Sequence, residues 1–215
     1  MKSTKVEYNP LLENIELSNA AIFFERNYSY EYVDMLNWPV KFPYKPQCKF
    51  KIARSTKSLF IYFNVTEYNI RAKYKIDHQP VWEDSCVEFF CQLPGQKYYY
   101  NFEFNCIGTC LATRRLSRNE DIVPFKSDEM NRIKRFTSFD SKPFEEKSGN
   151  FEWKLMVEIP FELIKFEPDF HSKNLNANFY KCGDATSVPH YLSWSHIITE
   201  NPDFHKPEYF GKLVF

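Results

Sequence analysis

An all-β antiparallel sandwich of the immunoglobulin-like or jelly-roll type, with very little helix, is the fold this sequence predicts. Three observations predict it. Short apolar or alternating runs recur along the chain with turn residues between them. Phe, Tyr and Trp are abundant, at 22, 14 and 4 of 215 residues, and such side chains favour strands. Only Pro160-Phe161-Glu162-Leu163-Ile164 reads as helical, for one short turn begun by a proline.

Taken in order, the expected strands are residues 20–26 (AAIFFER), 48–54 (CKFKIAR), 59–65 (LFIYFNV), 85–93 (SCVEFFCQL), 98–105 (YYYNFEFN) and 109–115 (TCLATRR). Residues 133–139, 151–159, 177–182 and 212–215 complete the set. Many strands with few helices suggest two packed antiparallel sheets. No Gly/Ser linker, repeat or low-complexity block divides the chain, so residues 1–215 read as a single domain.

Lys plus Arg equals Asp plus Glu, 28 against 28. That removes the basic surplus that nucleic acid or an anionic membrane surface requires. The basic clusters Arg114, Arg115, Arg118 and Arg132, Lys134, Arg135 read as solvated charge. Five glycines and no GxGxxG or GxxxxGK[ST] argue against a phosphate loop. No apolar run approaches the length of a membrane helix. The first nineteen residues lack the apolar core of a secretory signal. The six cysteines fall mostly in strand-like runs and read as reduced, apolar fillers. Both features favour the cytoplasm; a trimmed chain would instead be secreted or periplasmic.

The centre of the chain carries the most chemistry. A tight turn at Leu93-Pro94-Gly95-Gln96 would set Phe90 opposite Tyr99, Glu88 opposite Asn101 and Cys86 opposite Glu103. Strand alternation then puts Val87, Phe89, Cys91, Tyr98, Tyr100, Phe102 and Phe104 on a core face. The other face is mixed, with Cys86, Glu88, Phe90, Tyr99, Asn101, Glu103 and Asn105. A turn at Cys106-Ile107 would add Cys110, Ala112 and Arg114 to it. Such a surface suits a sugar, which needs flat aromatic side chains plus fixed donors and acceptors. Glu88, Asn101, Glu103 and Arg114 are the candidate hydrogen-bonding groups, with Trp82 at the sheet edge. Trp153 shares parity with Leu155, Val157 and Ile159 and reads as core, and Trp38 as a packed loop residue.

The stretch from Trp82 through Glu83-Asp84-Ser85-Cys86-Val87-Glu88-Phe89-Phe90, followed by Tyr99-Tyr100-Asn101-Phe102-Glu103-Phe104-Asn105 and Gly108, resembles family 9 carbohydrate-binding modules. Residues 153–160, the Tyr191-Leu192-Ser193-Trp194-Ser195 context and the ending at residues 204–215 are similar as well. The resemblance covers roughly residues 40–215, leaving residues 1–39 as an N-terminal strand and loop. It implies a sandwich that binds a mono- or oligosaccharide without cutting it, with two tryptophans stacked on opposite faces of a terminal sugar. Trp82 and Trp194 match those positions, with Glu88, Asn101, Glu103 and Arg114 ringing the hydroxyls. The family also implies structural calcium, but no oxygen-ligand loop of the D-x-D-x-D-G kind maps it here.

Three other readings compete. A glycoside hydrolase would use Glu88 and Glu103 as its carboxyl pair. A haem domain of the DOMON type would recruit Met130 or Met156 with His190 or His196. A sandwich serving only protein interaction would bury both Trp82 and Trp194 and leave no slot between them.

Overall fold

In the computed structural model of the protein, residues 2–167 and 174–215 are described. The chain forms strands β1 (Ser3–Lys5), β2 (Glu7–Tyr8), β3 (Glu31–Tyr32), β4 (Met35–Leu36), β5 (Gln47–Arg54), β6 (Ser58–Ala72), β7 (Cys86–Gln92) and β8 (Tyr99–Asn105). It continues with β9 (Cys110–Arg115), β10 (Val123–Pro124), β11 (Lys134–Thr137), β12 (Phe144–Pro160), β13 (Asn174–Cys182), β14 (Tyr191–Ser193) and β15 (Gly211–Val214). Two α-helices accompany them, α1 (Leu17–Asn27) and α2 (Ser127–Arg132). The expected short turn of helix is present as a 3-10 turn, Phe161–Ile164.

The strands make two sheets. The first runs β1-β15-β13-β7-β8-β9-β10, with β14 joining β13 to β4. The second runs β11-β12-β6-β5-β2, with β3 also on β5. Pairing is antiparallel except where β1 meets β15 and β2 meets β5. Inward residues from both sheets interleave: Val87, Phe89, Phe102 and Phe179 meet Phe50, Phe63, Trp153 and Leu155. This is the sandwich the alternation predicts, and Trp153 is fully buried in it.

One expected strand is a helix. Residues 20–26 form the middle of α1, which buries Leu17, Ala20, Ala21 and Phe24. Those positions fall at i, i+3, i+4 and i+7, one helical stripe, and the run of apolar residues within it masked the period. The stripe packs on Ala53, Phe60, Tyr62 and Met156, the outward residues of β5, β6 and β12. The outer face of the second sheet is therefore closed. At the helix end, the Lys51 ammonium donates to the carbonyls of Phe24 (2.9 Å) and Glu25 (2.8 Å), placing positive charge at the negative pole of the helix. Among the described residues no such helix covers the first sheet, and its outer face carries the candidate site.

Candidate functional site

Two turns decide which side chains reach that face. The β7–β8 hairpin pairs Cys86 with Asn105, Glu88 with Glu103 and Phe90 with Asn101. This register is two residues away from the tight-turn expectation, because the loop extends to Tyr98. A two-residue shift preserves parity, so both predicted faces survive, except that Tyr98 lies in the loop ahead of β8, half-buried and outside the core. It brings Glu88 and Glu103 directly opposite each other instead of diagonal.

The β8–β9 turn shifts by one residue, and that does swap a face. Cys110 pairs with Phe104, Ala112 with Phe102 and Arg114 with Tyr100. The loop is three residues long, Cys106-Ile107-Gly108, and Gly108 takes φ 84°. That left-handed third position is the mark of a three-residue hairpin loop with a bulge. Cys110 and Ala112 are therefore in the core, and Arg114 leaves the mixed face to lie over the Tyr98 ring at 4.6 Å. Thr113 and Arg115 take the positions expected of Ala112 and Arg114.

Trp82 sits on a 3-10 turn, Val81–Glu83, just ahead of β7. The turn is anchored by Asp84, which is fully buried. Its carboxylate accepts the amides of Lys73 (3.0 Å) and Tyr74 (3.1 Å) and the Asn105 side-chain amide (2.9 Å). It also pairs with the Arg71 guanidinium at 3.2 Å, whose Nη1 donates to the Glu83 carbonyl. This network fixes Trp82 from below, and its indole stays half-buried at the edge of a cavity.

That cavity encloses about 520 Å³, within the size range of small-molecule sites. Glu88, Glu103 and Cys182 line it, along with the aromatic residues Phe42, Trp82, Tyr191, Phe204 and His205. Arg115, Arg118, Asp184 and Asp203 add charge around it. A larger hollow of about 810 Å³ lies elsewhere, bounded by Phe166 and Glu167; among the described residues its lining has no tryptophan and no buried carboxyl.

Both floor carboxyls are almost wholly buried, at 3% exposure each. Burial, together with the Glu103 charge, pushes Glu88 well above the usual carboxylate range. Glu103 is raised to about 7 by burial, against the opposing pull of Arg115 and of the Asn101 hydrogen bond. Like charges on directly opposed strand positions cannot both ionise cheaply. Asp184 is lifted to about 6 by burial, against the pull of Arg118. The floor therefore offers hydroxyl donors as well as acceptors.

Asn101 is fully buried behind this floor. Its amide donates to Glu103 Oε1 at 2.7 Å, its carbonyl accepts the Thr113 hydroxyl, and Arg115 Nε donates to Thr113 Oγ1 at 2.7 Å. The donors form a relay ending on Glu103, so Asn101 orients that carboxyl instead of lining the cavity. Tyr99 hydroxyl and His205 Nδ1 lie 2.8 Å apart; burial and then Arg115 and Arg118 lower His205 to about 3.

Trp194 is not in the cavity. It is fully buried on the inner side of the first sheet, edge-on to Phe179 at 5.7 Å and to Phe50 at 6.1 Å. Its Nε1 donates to Glu31 at 3.0 Å. Leu192 and Trp194 alternate inward, whereas Tyr191 projects to the mixed face. A clamp of Trp82 against Trp194 is thus not formed, although the open cavity beside Trp82 also differs from what a purely interaction-type sandwich predicts. Sequence reasoning missed Phe42, Arg115, Cys182, Asp184, Tyr191 and His205. Only Arg115 and Tyr191 had a signal, namely parity counted from Gly108 and from Trp194.

The calcium implied by the resemblance finds no cluster of side-chain carboxylates among the described residues. Among the described residues, the one close group of three or more Cys, His, Asp or Glu ligands is Cys86, Glu88 and Cys182, and two thiols do not suit an ion that takes oxygen ligands.

The family model for Carbohydrate-binding family 9 matches residues 18–215. A crystal structure described as that of a "putative carbohydrate-binding protein" from Bacteroides uniformis is 35% identical, covers 100% of this chain and 99% of its own, and superposes with a TM-score of 0.92. A family 9 module from Caldicellulosiruptor kristjanssonii in complex with glucose shares the fold at 12% identity and TM-score 0.58, over 99% of this chain and 95% of that one. The module from that organism in complex with cellotriose gives 11% and 0.55, over 99% and 93%. No curated protein matches.

Proposed function

Because the chain belongs to Carbohydrate-binding family 9, we propose that it binds a mono- or oligosaccharide non-catalytically in the cavity beside Trp82. The observation that carries this reading is the pairing of a half-buried tryptophan with a floor of buried carboxyls in a hollow of sugar size. The Trp82 indole stacks on the C–H face of one ring, and Phe42 and Tyr191 supply aromatic wall that the sequence reading assigned to Trp194. Glu88, Glu103, Asp184 and Arg115 bond the hydroxyls. The relatives from C. kristjanssonii were solved with glucose and cellotriose, which makes glucosides the first ligands to try.

The carboxyl geometry favours binding over hydrolysis. A glycosidase needs its two carboxyls flanking the scissile bond. Glu88 and Glu103 stand side by side on neighbouring strands and approach a ligand from the same side.

The test is intrinsic tryptophan fluorescence titrated with mono- and oligosaccharides. Saturable change with a dissociation constant on the order of micromolar to millimolar is expected, lost in Trp82→Ala with the melting transition kept. Absence of any saturable response across glucosides, xylosides, galactosides and mannosides refutes the reading.

A further inference from the structure

At the floor of the cavity, Glu88 also belongs to a second cluster, with two cysteines that sugar recognition does not use. Cys86 on β7 and Cys182 on β13 are directly opposed across the sheet. Glu88 is two residues beyond Cys86, on the same face. Cys86 Sγ, Cys182 Sγ and a Glu88 oxygen all lie within 4.8 Å of one another, and Cys182 Sγ is 3.1 Å from Glu88 Oε1. All three residues are buried, and all sit on paired strands, which fix their positions better than loops would.

A second observation points to a ligand. Glu103 faces Glu88 from the next strand. It is 97% buried, lines the same cavity, and its Oε2 has no hydrogen-bond partner. A buried carboxyl oxygen left unpaired is destabilising unless something completes it.

We propose that Cys86, Cys182 and Glu88 form a binding site for a thiophilic divalent cation of the zinc class, with a fourth position left for a group from the cavity. Two sulfurs and a carboxylate suit zinc, which prefers four tetrahedral ligands with Zn–S bonds of about 2.3 Å. Bonds of that length set neighbouring sulfurs roughly 3.8 Å apart, within reach of small side-chain rotations from the observed arrangement. Glu88 and Cys182 border the open cavity, so the ion has an entry path. On binding, the two thiols and the Glu88 carboxyl give up their protons to solvent as two metal–sulfur bonds and one metal–oxygen bond form. The Trp82 carbonyl lies 3.6 Å from Cys182 Sγ, so the ion sits directly beneath the aromatic edge of the cavity.

The experiment uses cobalt(II) alone as an optical stand-in, with no sugar, so its outcome is separate from that of the sugar titration. The reduced, chelator-treated protein is titrated with cobalt under a thiol-free reductant, then back-titrated with zinc. A one-to-one endpoint with a near-ultraviolet thiolate-to-cobalt charge-transfer band, erased by zinc, is expected. Cys182→Ser and Cys86→Ser should each weaken binding by more than the roughly 10–100-fold that follows loss of a supporting group. Cys91→Ala, outside the cluster, should leave the endpoint unchanged. A wild-type protein that shows no charge-transfer band overturns the proposal without recourse to any variant. So does a band that survives in both serine variants, or a thiol count showing Cys86 and Cys182 joined as a disulfide.

Discussion

The anchor beneath Trp82 offers a test whose magnitude can be worked out without knowing the ligand. Asp84→Asn keeps the shape of the side chain and removes its charge. The wild-type carboxylate meets donors at every oxygen: Lys73 N–H and Arg71 on one, Tyr74 N–H and the Asn105 amide on the other. An asparagine must turn its own NH₂ toward one of those pairs. Two buried donors then lose an acceptor, and the Arg71 guanidinium, whose side chain is only 10% exposed, loses its nearest counter-charge. Breaking a buried pair from one side costs about 3–5 kcal/mol. Arg71 keeps the Glu83 carbonyl and a more distant Glu83 carboxylate, so the lower end applies, about 3 kcal/mol. For a domain of this size that lowers the melting temperature by roughly 6–12 °C. Thermal unfolding followed by circular dichroism reads the shift, and the remaining folded protein should also bind sugar more weakly because Trp82 is less firmly placed. A loss below about 1 kcal/mol would refute the reasoning, since it would mean that the network neither bears the charge nor holds the turn.

Other outcomes follow from the same structure. Trp194→Ala should cost about 3–5 kcal/mol, as expected for a large aromatic lost from a core, whereas Trp82→Ala should leave denaturant midpoints nearly unchanged. Gly211→Ala would drive a methyl into the Trp194 ring and to 2.6 Å from the Lys2 carbonyl; denaturant titration should show it at least about 1–3 kcal/mol less stable, with the sugar response of the folded fraction intact. His205 has its ordinary value of 6.5 lowered to about 3 by burial and the nearby arginines. Its contribution to stability is present above about pH 6.5 and is lost as pH falls toward 3. The wild type should therefore lose stability relative to His205→Gln over that interval, as read by urea unfolding at several pH values. Arg115→Ala, which cuts the relay to Glu103, should weaken sugar binding by about 1 kcal/mol, and Arg114→Ala should not; isothermal titration distinguishes them.

Much of this architecture is legible because strand alternation is strict. Val87, Phe89 and Cys91 share one face and Glu88 and Phe90 the other whatever the register of the hairpin, and any even shift keeps the faces of β7 and β8 matched. What alternation does not convey is the length of each turn. The loop after β7 is longer than a tight turn by an even count, and nothing was lost. The loop after β8 is longer by one, and the site residue moved from Arg114 to Arg115. Gly108 is the residue that permits the third loop position, and its φ of 84° is the physical reason the count is odd. Helix α1 was hidden for a different cause: Ala20-Ala21-Ile22-Phe23-Phe24 is apolar throughout, and only its burial against β6 and β12 reveals which residues form the stripe. Residues from remote loops, such as Phe42, Asp184 and His205, carried no local pattern, because they reach the cavity through tertiary packing alone.

The outer face of the first sheet shows why a cavity exists at all. One half of that face is apolar: Phe90, Tyr99, Leu111 and Tyr180. The C-terminal segment lies across it, with Phe204 stacked on Tyr180 at 4.2 Å, the Tyr180 hydroxyl donating to the Phe204 carbonyl, and Ile197 and Phe210 filling the remainder. The other half presents Glu88 and Glu103, and there the cover stops. A sheet selected for stability alone would oppose two apolar residues at that pair, since opposed carboxyls on neighbouring strands are destabilising. Here the burial that would make two charges intolerable instead raises both carboxyls toward their protonated forms, and the arginine relay orients Glu103. The covered half supplies the rigidity, and the uncovered half holds its donors and acceptors in place while leaving Glu103 Oε2 without a protein partner, which is the condition a ligand-binding floor has to meet.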